Sequence, residues 1–372
     1  MKRLIYLCLE ATKQGQASYA HVHEIIKGLR KRGWEVQLFE PTYSMSNTAP
    51  GPFVRLLAFI KVQFILLINL IKIKPDAIYI RNHFATFPTA LVAKLLRKPV
   101  VQEVNGPYED LFIAWPKTKM LAPLFKWLIR MQLKWADAVV AVTLQLGKWA
   151  QSETGQRSIQ VIPNGANSEI FQPQAQLKYD LPKPYVVFFG TFARWQGIDT
   201  LIKAVYSPHW PSDVNMVIVG DGAEREAVEK AALDNTKITY LRPVPYLDIA
   251  GIVANSLGGL SPQNNERGRS STGLFPLKLF ETMACGVPVI VTDFPGQADL
   301  VRQYNCGLVV PHDNPDALAK AVATIYANPT MRSDMGARGR RAIEEEHSWD
   351  CRAAKTDDLL RQIIASKRGK RE

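Results

Sequence analysis

An α/β fold of two doubly wound, Rossmann-like domains facing each other across a cleft is predicted by three observations. Short β-rich runs alternate with helical patterns through both halves of the chain. The length of 372 residues exceeds a single ordinary domain, at a usual ~150 residues each. A stretch of turn chemistry without apolar period, Ile162-Pro163-Asn164-Gly165 followed by Phe171-Gln172-Pro173, separates the halves. Strands alternating with helices imply parallel sheets covered on both faces. Ligands bind beyond the carboxyl ends of such strands, so the active site is expected between the two domains.

In the first half, residues 4–9 are the first strand. The loop Lys13-Gln14-Gly15-Gln16-Ala17-Ser18 then opens a helix near residues 19–32, which makes Gly15 a candidate anion contact. His21 and His23 are two apart on that helix and point away from each other, which argues against a shared metal, and no H-E-x-x-H occurs. A strand follows at residues 35–39. Residues 53–73 are mostly apolar, but Arg55, Lys61 and Lys72 interrupt them. The longest charge-free run, residues 62–71, is well short of the ~20 that a membrane span needs, so a buried helix is expected.

Strands at residues 77–80 and 100–104 flank a helix at 90–96. If strand geometry persists into Asn105-Gly106-Pro107, Glu103 and Asn105 share a face and aim together into the cleft. His83, just past Ile80-Arg81, is another cleft candidate. Residues 117–135 place Lys119, Lys126, Arg130 and Lys134 along one helical face, with Leu121, Leu124, Phe125, Leu128 and Ile129 on others. That pattern suits either an interfacial helix or a packing helix with a solvated face. Residues 138–142 close the half as a strand.

In the second half, the strand at residues 185–189 runs into Gly190-Thr191-Phe192-Ala193-Arg194-Trp195-Gln196-Gly197, where Arg194 suits a bidentate phosphate contact. A helix at 198–206 and a strand at 215–219 follow. Gly220-Asp221-Gly222 then reads as a turn, since the third glycine of a dinucleotide loop is missing. After strands at 238–241 and 258–260 comes S-S-T-G-L-F-P-L-K-L-F-E from Ser270. Its loop residues Ser271, Thr272, Gly273 and Leu274 lead into a helix carrying Lys278 and Glu281. The free N–H groups of a helix start can hold a phosphate while a carboxylate two turns on accepts from a ribose hydroxyl pair. A strand at 288–291 follows a Gly-Val-Pro turn.

Hydrophobic residues at 47% and charged residues at 22% are ordinary for a soluble globular protein. The net charge of +12 is uneven: residues 1–170 hold 22 Lys/Arg against 11 Asp/Glu, whereas the remainder holds 24 against 23. A basic half needs an anionic partner, and charge alone admits nucleic acid, anionic lipid or phosphorylated substrates. The basic half lacks a nucleic-acid reading motif, so no nucleic acid is expected. Cys8, Cys285, Cys306 and Cys351 lie far apart with no C-x-x-C, and the chain opens on a strand rather than a signal peptide. Both features point to the cytoplasm.

Taken together, the chain resembles the retaining glycosyltransferases of family 4, the group 1 transferases of GT-B fold. The resemblance runs from Gly15 to Ala20-His21 through Asp76-Ala77-Ile78-Tyr79-Ile80-Arg81, Glu103-Val104-Asn105-Gly106-Pro107, Ala136-Asp137-Ala138-Val139, Ile162-Pro163-Asn164-Gly165 and Gly190 to Gly197. It continues through Val219-Gly220-Asp221-Gly222 and Lys278-Leu279-Phe280-Glu281-Thr282-Met283-Ala284-Cys285-Gly286-Val287-Pro288 to Ser348-Trp349. It implies an acceptor domain over residues 1–170, a donor domain over 171–349, and a final helix over 350–372 that crosses back onto the first domain.

The resemblance further implies a nucleotide-diphosphate-sugar donor held by Gly15, Gly190, Arg194, Gly220, Val244, Ser271, Thr272, Gly273, Leu274, Lys278 and Glu281. His83 and Asn105 would meet the acceptor, and Glu103, Asn105, Arg194 and Lys278 would serve catalysis, with no metal or other cofactor. Glu281 matches the second acid of the family's E-x7-E motif. Three departures stand out: the first acid falls at Gly273, the family's phosphate-binding Arg and Lys fall at Thr191 and Gln196, and a first-domain histidine is Asn105. The expectation is a hexosyltransferase acting on a glycan or lipid-linked acceptor in bacterial cell-surface polysaccharide or glycolipid synthesis. It would work in the cytoplasm, against an anionic membrane surface on the inner face of the plasma membrane. A nucleotide-sugar epimerase and a non-catalytic glycan- or membrane-binding scaffold are the alternatives.

Overall fold

The computed structural model describes residues 1–12, 16–42, 50–114, 116–155, 159–265 and 273–369. The chain divides into two compact units, Met1–Pro163 with Asp350–Glu372, and Asn164–Trp349. The division falls inside the predicted turn-rich linker, ahead of the expected boundary at 170.

The first unit is a parallel sheet in the order β2-β1-β3-β4-β5-β6, with β1 Lys2–Leu7, β2 Trp34–Phe39, β3 Ala77–Arg81, β4 Val100–Val104, β5 Ala138–Ala141 and β6 Ile159–Val161. The central strands β3, β4 and β5 are buried along their whole length, which is why they read as continuous apolar runs rather than alternating ones. The order reverses at β1, between β2 and β3, so the crevice for a ligand opens past the ends of β1 and β3. Helix α1, Ala17–Lys31, buries Val22, Ile25, Ile26 and Leu29 at helical spacing.

Helix α2, Pro52–Ile73, departs from expectation: Val62, Gln63, Leu66 and Leu70 are its buried residues and the opposite side is bare. The apolar sequence suggests a helix enclosed on all sides, and that expectation is corrected here. Helices α3, Phe87–Leu95, α4, Glu109–Ala114, α5, Ala122–Trp135, and α6, Leu144–Thr154, complete the run. A 3₁₀ turn at Pro116–Leu121 precedes α5, so residues 117–135 are not one continuous helix. The last helix, α14, Trp349–Gly369, packs in this unit. There Trp34 Nε1 donates to Asp357 Oδ1 at 2.7 Å and Lys367 pairs with Asp137 at 2.6 Å.

The second unit is a parallel sheet in the order β12-β11-β10-β7-β8-β9. Its strands are β7 Tyr185–Thr191, β8 Asn215–Asp221, β9 Ile238–Leu241, β10 Gly259–Ser261, β11 Val289–Thr292 and β12 Gly307–Val310. Side chains of a strand alternate between faces. Val187, Phe189, Val217 and Val219 therefore pack on one side with helices α9, Tyr246–Ala254, α10, Leu277–Ala284, α11, Gln297–Tyr304, and α13, Pro329–Ala342. Val186, Phe188, Met216 and Ile218 pack on the other with α7, Ile198–Val205, α8, Arg225–Asp234, and α12, Pro315–Ala327.

Here the order reverses between β7 and β10. At the ends of β7 and β8, Gly190 sits opposite Gly220. Gly220 has φ of +145°, and a Cβ there would come within 1.9 Å of the Gly190 carbonyl oxygen. Gly220→Ala is therefore expected to destabilise the chain by at least ~2–3 kcal/mol, seen as a lower denaturant midpoint. An unchanged midpoint would mean that the β7–β8 pairing yields without cost.

Candidate functional site

In the second unit the reversal between β7 and β10 brings together four residues from three separate segments. Gly190 is the last but one residue of β7, Gln196 lies in the 3₁₀ turn Arg194–Gln196 after it, Gln263 follows β10, and Lys278 rides on the first turn of α10. Lys278 Nζ donates to Gln196 Oε1 at 2.8 Å, and Gln263 Nε2 donates to the same oxygen at 2.9 Å. The ammonium also lies over the Phe188 ring, 3.7 Å from its centroid, a cation–π contact. A Cβ on Gly190 would stand 3.4 Å from Nζ, so glycine keeps the space beside the ammonium open.

One turn along α10, Glu281 is buried and accepts from the Tyr246 hydroxyl at 2.7 Å. The i,i+3 spacing of Lys278 and Glu281 would allow a direct pair, yet the two side chains go to Gln196 and Tyr246 instead. Burial drives both towards neutrality. Lack of water lowers the Lys278 ammonium to about 7, opposed by the nearby Glu281 charge. It raises the Glu281 carboxyl to about 7, against the Tyr246 hydrogen bond and the Lys278 charge. A poised cation and a poised carboxylate thus sit side by side at the place where an open parallel sheet takes its ligand.

The other predicted donor contacts are distributed unevenly. Arg194 is exposed and reaches Glu224 at 3.6 Å. Gly220 serves the strand pairing described above. Val244 is half-buried against the apolar layer beside α9. Gly273 has φ of +83°, and Leu274 donates its N–H to Pro295 O at 2.8 Å and bridges to Gly296. Gly15, Ser271 and Thr272 lie outside the described residues. Gln263 and Tyr246 were not singled out by sequence, and Gln196 was named there only as a departure. The available signal was Gln196, which stands where the resemblance expects a cation and here is the acceptor for one.

In the first unit the predicted residues form a different kind of cluster. Glu103, at the end of β4, is wholly buried. Its Oε1 accepts from His21 Nε2 at 2.6 Å and Asn105 Nδ2 at 2.7 Å, and lies 3.7 Å from Arg81. Its Oε2 accepts from the Tyr79 hydroxyl and from Arg352 at 3.0 Å. Burial alone would raise this carboxyl, but His21, Arg352 and Arg81 hold it well below the usual carboxylate range. Burial lowers His21 to about 4 despite the carboxylate, and towards that acceptor its Nε2 is the donor.

Glu103 and Asn105 do share a side, but Glu103 faces this cluster rather than an opening. His83 accepts the Ala85 N–H on Nδ1 at 3.2 Å, its ring lies against Phe59 and Phe84, and burial lowers it to about 4. Among the described residues, no group of three His, Cys, Asp or Glu side chains is placed to hold a metal ion.

Models of two known families match successive parts of the chain, Glycosyltransferase Family 4 over residues 20–170 and Glycosyl transferases group 1 over residues 171–342. A GDP-mannose-dependent alpha-(1-6)-phosphatidylinositol monomannoside mannosyltransferase of Mycobacterium tuberculosis is 27% identical over 74% of this chain and 74% of its own length. The first curated relatives are matched over 66% to 74% of their own length. Among solved structures, sucrose-phosphate synthase from Thermosynechococcus elongatus superposes with a TM-score of 0.79 at 20% identity, over 98% of this chain and 100% of that one. Anabaena HepE in complex with UDP-glucose superposes with a TM-score of 0.69 at 17% identity, over 97% of this chain and 100% of that one. At these identities the structural likeness is one of fold.

Removing the Glu103 charge leaves Arg352 and Arg81 buried without their counter-charge. Glu103→Gln is therefore expected to cost ~3–5 kcal/mol in denaturant unfolding. A variant of normal stability that had lost its activity would instead place Glu103 among the reacting groups.

Proposed function

Because this chain belongs to the group 1 glycosyltransferases of family 4 and has their two-domain GT-B α/β fold, we propose that it transfers a sugar from a nucleoside-diphosphate sugar with retention of anomeric configuration. The donor would be held in the second unit, at Lys278 and Glu281. The observation that carries this reading is the buried pair on α10 at the β7–β10 reversal, an ammonium and a carboxylate each bonded to a neutral partner. A diphosphate restores to Lys278 the charge stabilisation that burial removes, and a ribose diol supplies Glu281 with two donors. The mannosyltransferase relative is named for GDP-mannose and the Anabaena structure holds UDP-glucose. The nucleoside diphosphate is common to both.

In the proposed reaction the acceptor hydroxyl oxygen bonds to the anomeric carbon on the face from which the diphosphate departs. The bond from that carbon to the β-phosphate oxygen breaks, and the hydroxyl proton passes to the leaving phosphate. Lys278 stabilises the charge that builds on it, an effect on the order of a hundredfold in rate for one such donor elsewhere. Arg194 is a second proposed cation, from the exposed loop after β7. The acceptor is proposed to be a glycan or lipid-linked sugar, in keeping with the phosphatidylinositol-linked substrate in the mannosyltransferase's name. The setting would be cell-surface polysaccharide or glycolipid synthesis at the cytoplasmic side of an anionic membrane. Cations of residues 117–135 would contribute long-range attraction, Lys119 and Lys134 more than Arg130, which is committed to Glu153 at 2.6 Å.

The pH dependence of nucleoside-diphosphate binding tests the site. Binding needs the ammonium, present below about 7, and the carboxylate, present above about 7. Affinity should therefore peak near neutrality and fall about tenfold per pH unit on either side. Lys278→Met should remove the alkaline fall and Glu281→Gln the acid fall, each weakening binding at pH 7. A flat profile in calorimetry would sink the assignment. Transfer is also expected to proceed without metal, so full loss of turnover in chelator, restored only by a divalent ion, would overturn that part of the proposal.

A further inference from the structure

Helix α2 presents to solvent a stripe that a water-facing helix does not ordinarily carry. Phe53, Leu57, Ile60, Phe64, Ile68 and Ile71 fall within a narrow sector at 3.6 residues per turn, and Phe53, Phe64 and Ile71 are 71%, 64% and 75% exposed. The stripe is about 27 Å long at 1.5 Å per residue. No acidic residue occurs between Glu40 and Asp76. Lys61 and Lys72 lie along one flank of the stripe, a helical quarter-turn from its centre, and Lys74 follows the last turn.

The other side of α2 is committed to the protein. Val62, Leu66 and Leu70 pack with Ile5, Ile78 and Ile80 of the sheet. Gln63 donates to the Ala85 carbonyl and accepts from Thr89 Oγ1 at 3.0 Å, tying α2 to the start of α3. The helix is long and apolar enough to cross a bilayer, but its buried side keeps it against the sheet. It can meet lipid only lengthwise. The same unit carries further exposed apolar groups, Leu95 and Leu96 at the end of α3 and Met120, Leu121, Leu124 and Trp127 along the approach to and first turns of α5.

We propose that α2 is a lipid-insertion helix, lying in the plane of an anionic bilayer with its stripe among the upper acyl chains and Lys61, Lys72 and Lys74 at the headgroups. Charge selects this occupant. Lys61 and Lys72 are exposed beside the stripe, and lysine stems can lie along apolar surface while the ammonium reaches the headgroups, which matches an apolar layer bounded by anionic headgroups. The bare apolar length exceeds what single scattered surface residues account for. The inference goes beyond the electrostatic attraction proposed for residues 117–135, because it names the element that enters the apolar layer. It does not depend on the donor site.

The test uses the full chain with vesicles of phosphatidylcholine alone and of phosphatidylcholine with phosphatidylglycerol. Co-flotation with the anionic vesicles is expected, together with a blue shift of a polarity-sensitive dye on Phe64→Cys that the parent chain labelled in the same way does not show. Ile60→Glu/Phe64→Glu should lower partitioning at least tenfold while leaving the thermal shift produced by nucleoside diphosphate unchanged. Lys61→Glu/Lys72→Glu should lower it severalfold on anionic vesicles. Unchanged partitioning of the stripe variant, or no dye shift, would overturn the proposal. So would a concentration-dependent dimer in light scattering that the stripe variant abolishes, since the stripe would then cover a second copy of the chain.

Discussion

A carboxylate removed from water must be surrounded by donors, and the first unit is arranged to do this for Glu103. Its oxygens draw on α1 through His21, on β3 through Tyr79 and Arg81, on the strand's own continuation through Asn105, and on α14 through Arg352. Arg352 also donates to the carbonyls of Ile162 and Pro163, at the end of the first pass of the chain through this unit. One buried charge thus sets the position of α1 over the sheet and the place where the last helix begins. The carboxylate is costly to bury alone, and these donors supply both of its oxygens.

The second unit handles buried charge in the opposite way. Lys278 and Glu281 are buried like Glu103, though less completely, yet each is held by a neutral hydrogen-bond partner rather than by an opposite charge at contact distance. Burial consequently pushes both towards neutral pH instead of away from it. A carboxylate with both oxygens supplied resists change, whereas a sparsely supplied pair gains most from an incoming polyanion or diol. This contrast separates a framework residue from a ligand-facing one more clearly than the sequence positions do, since both clusters follow the ends of parallel strands.

The alternation of strands and helices, the linker at residues 162–165 and the helix bearing Glu281 were all legible in the sequence. Period and turn chemistry are local properties. Glu103 beside Asn105 was legible as a pair, but its partner Arg352 is 249 residues away and no local pattern announces it. The meeting of Gln196 with Gln263 was hidden for the same reason, because it depends on which strands become neighbours. Helix α2 was misread because an apolar run does not reveal which of its sides finds a protein neighbour. Short elements such as β6, with three residues, carry too few positions for a pattern.

The first unit is discontinuous in the chain, while the second is one uninterrupted segment. During synthesis the second unit can therefore close on itself as soon as it has emerged. The first must wait for residues beyond Trp349, although its sheet left the ribosome much earlier. Until Arg352 arrives, the Glu103 carboxylate lacks one of its cations and α2 already offers a bare apolar side. A nascent chain in this state is open at its centre and adhesive at its surface, so the last helix acts as a latch on translation order: the piece made first is completed last.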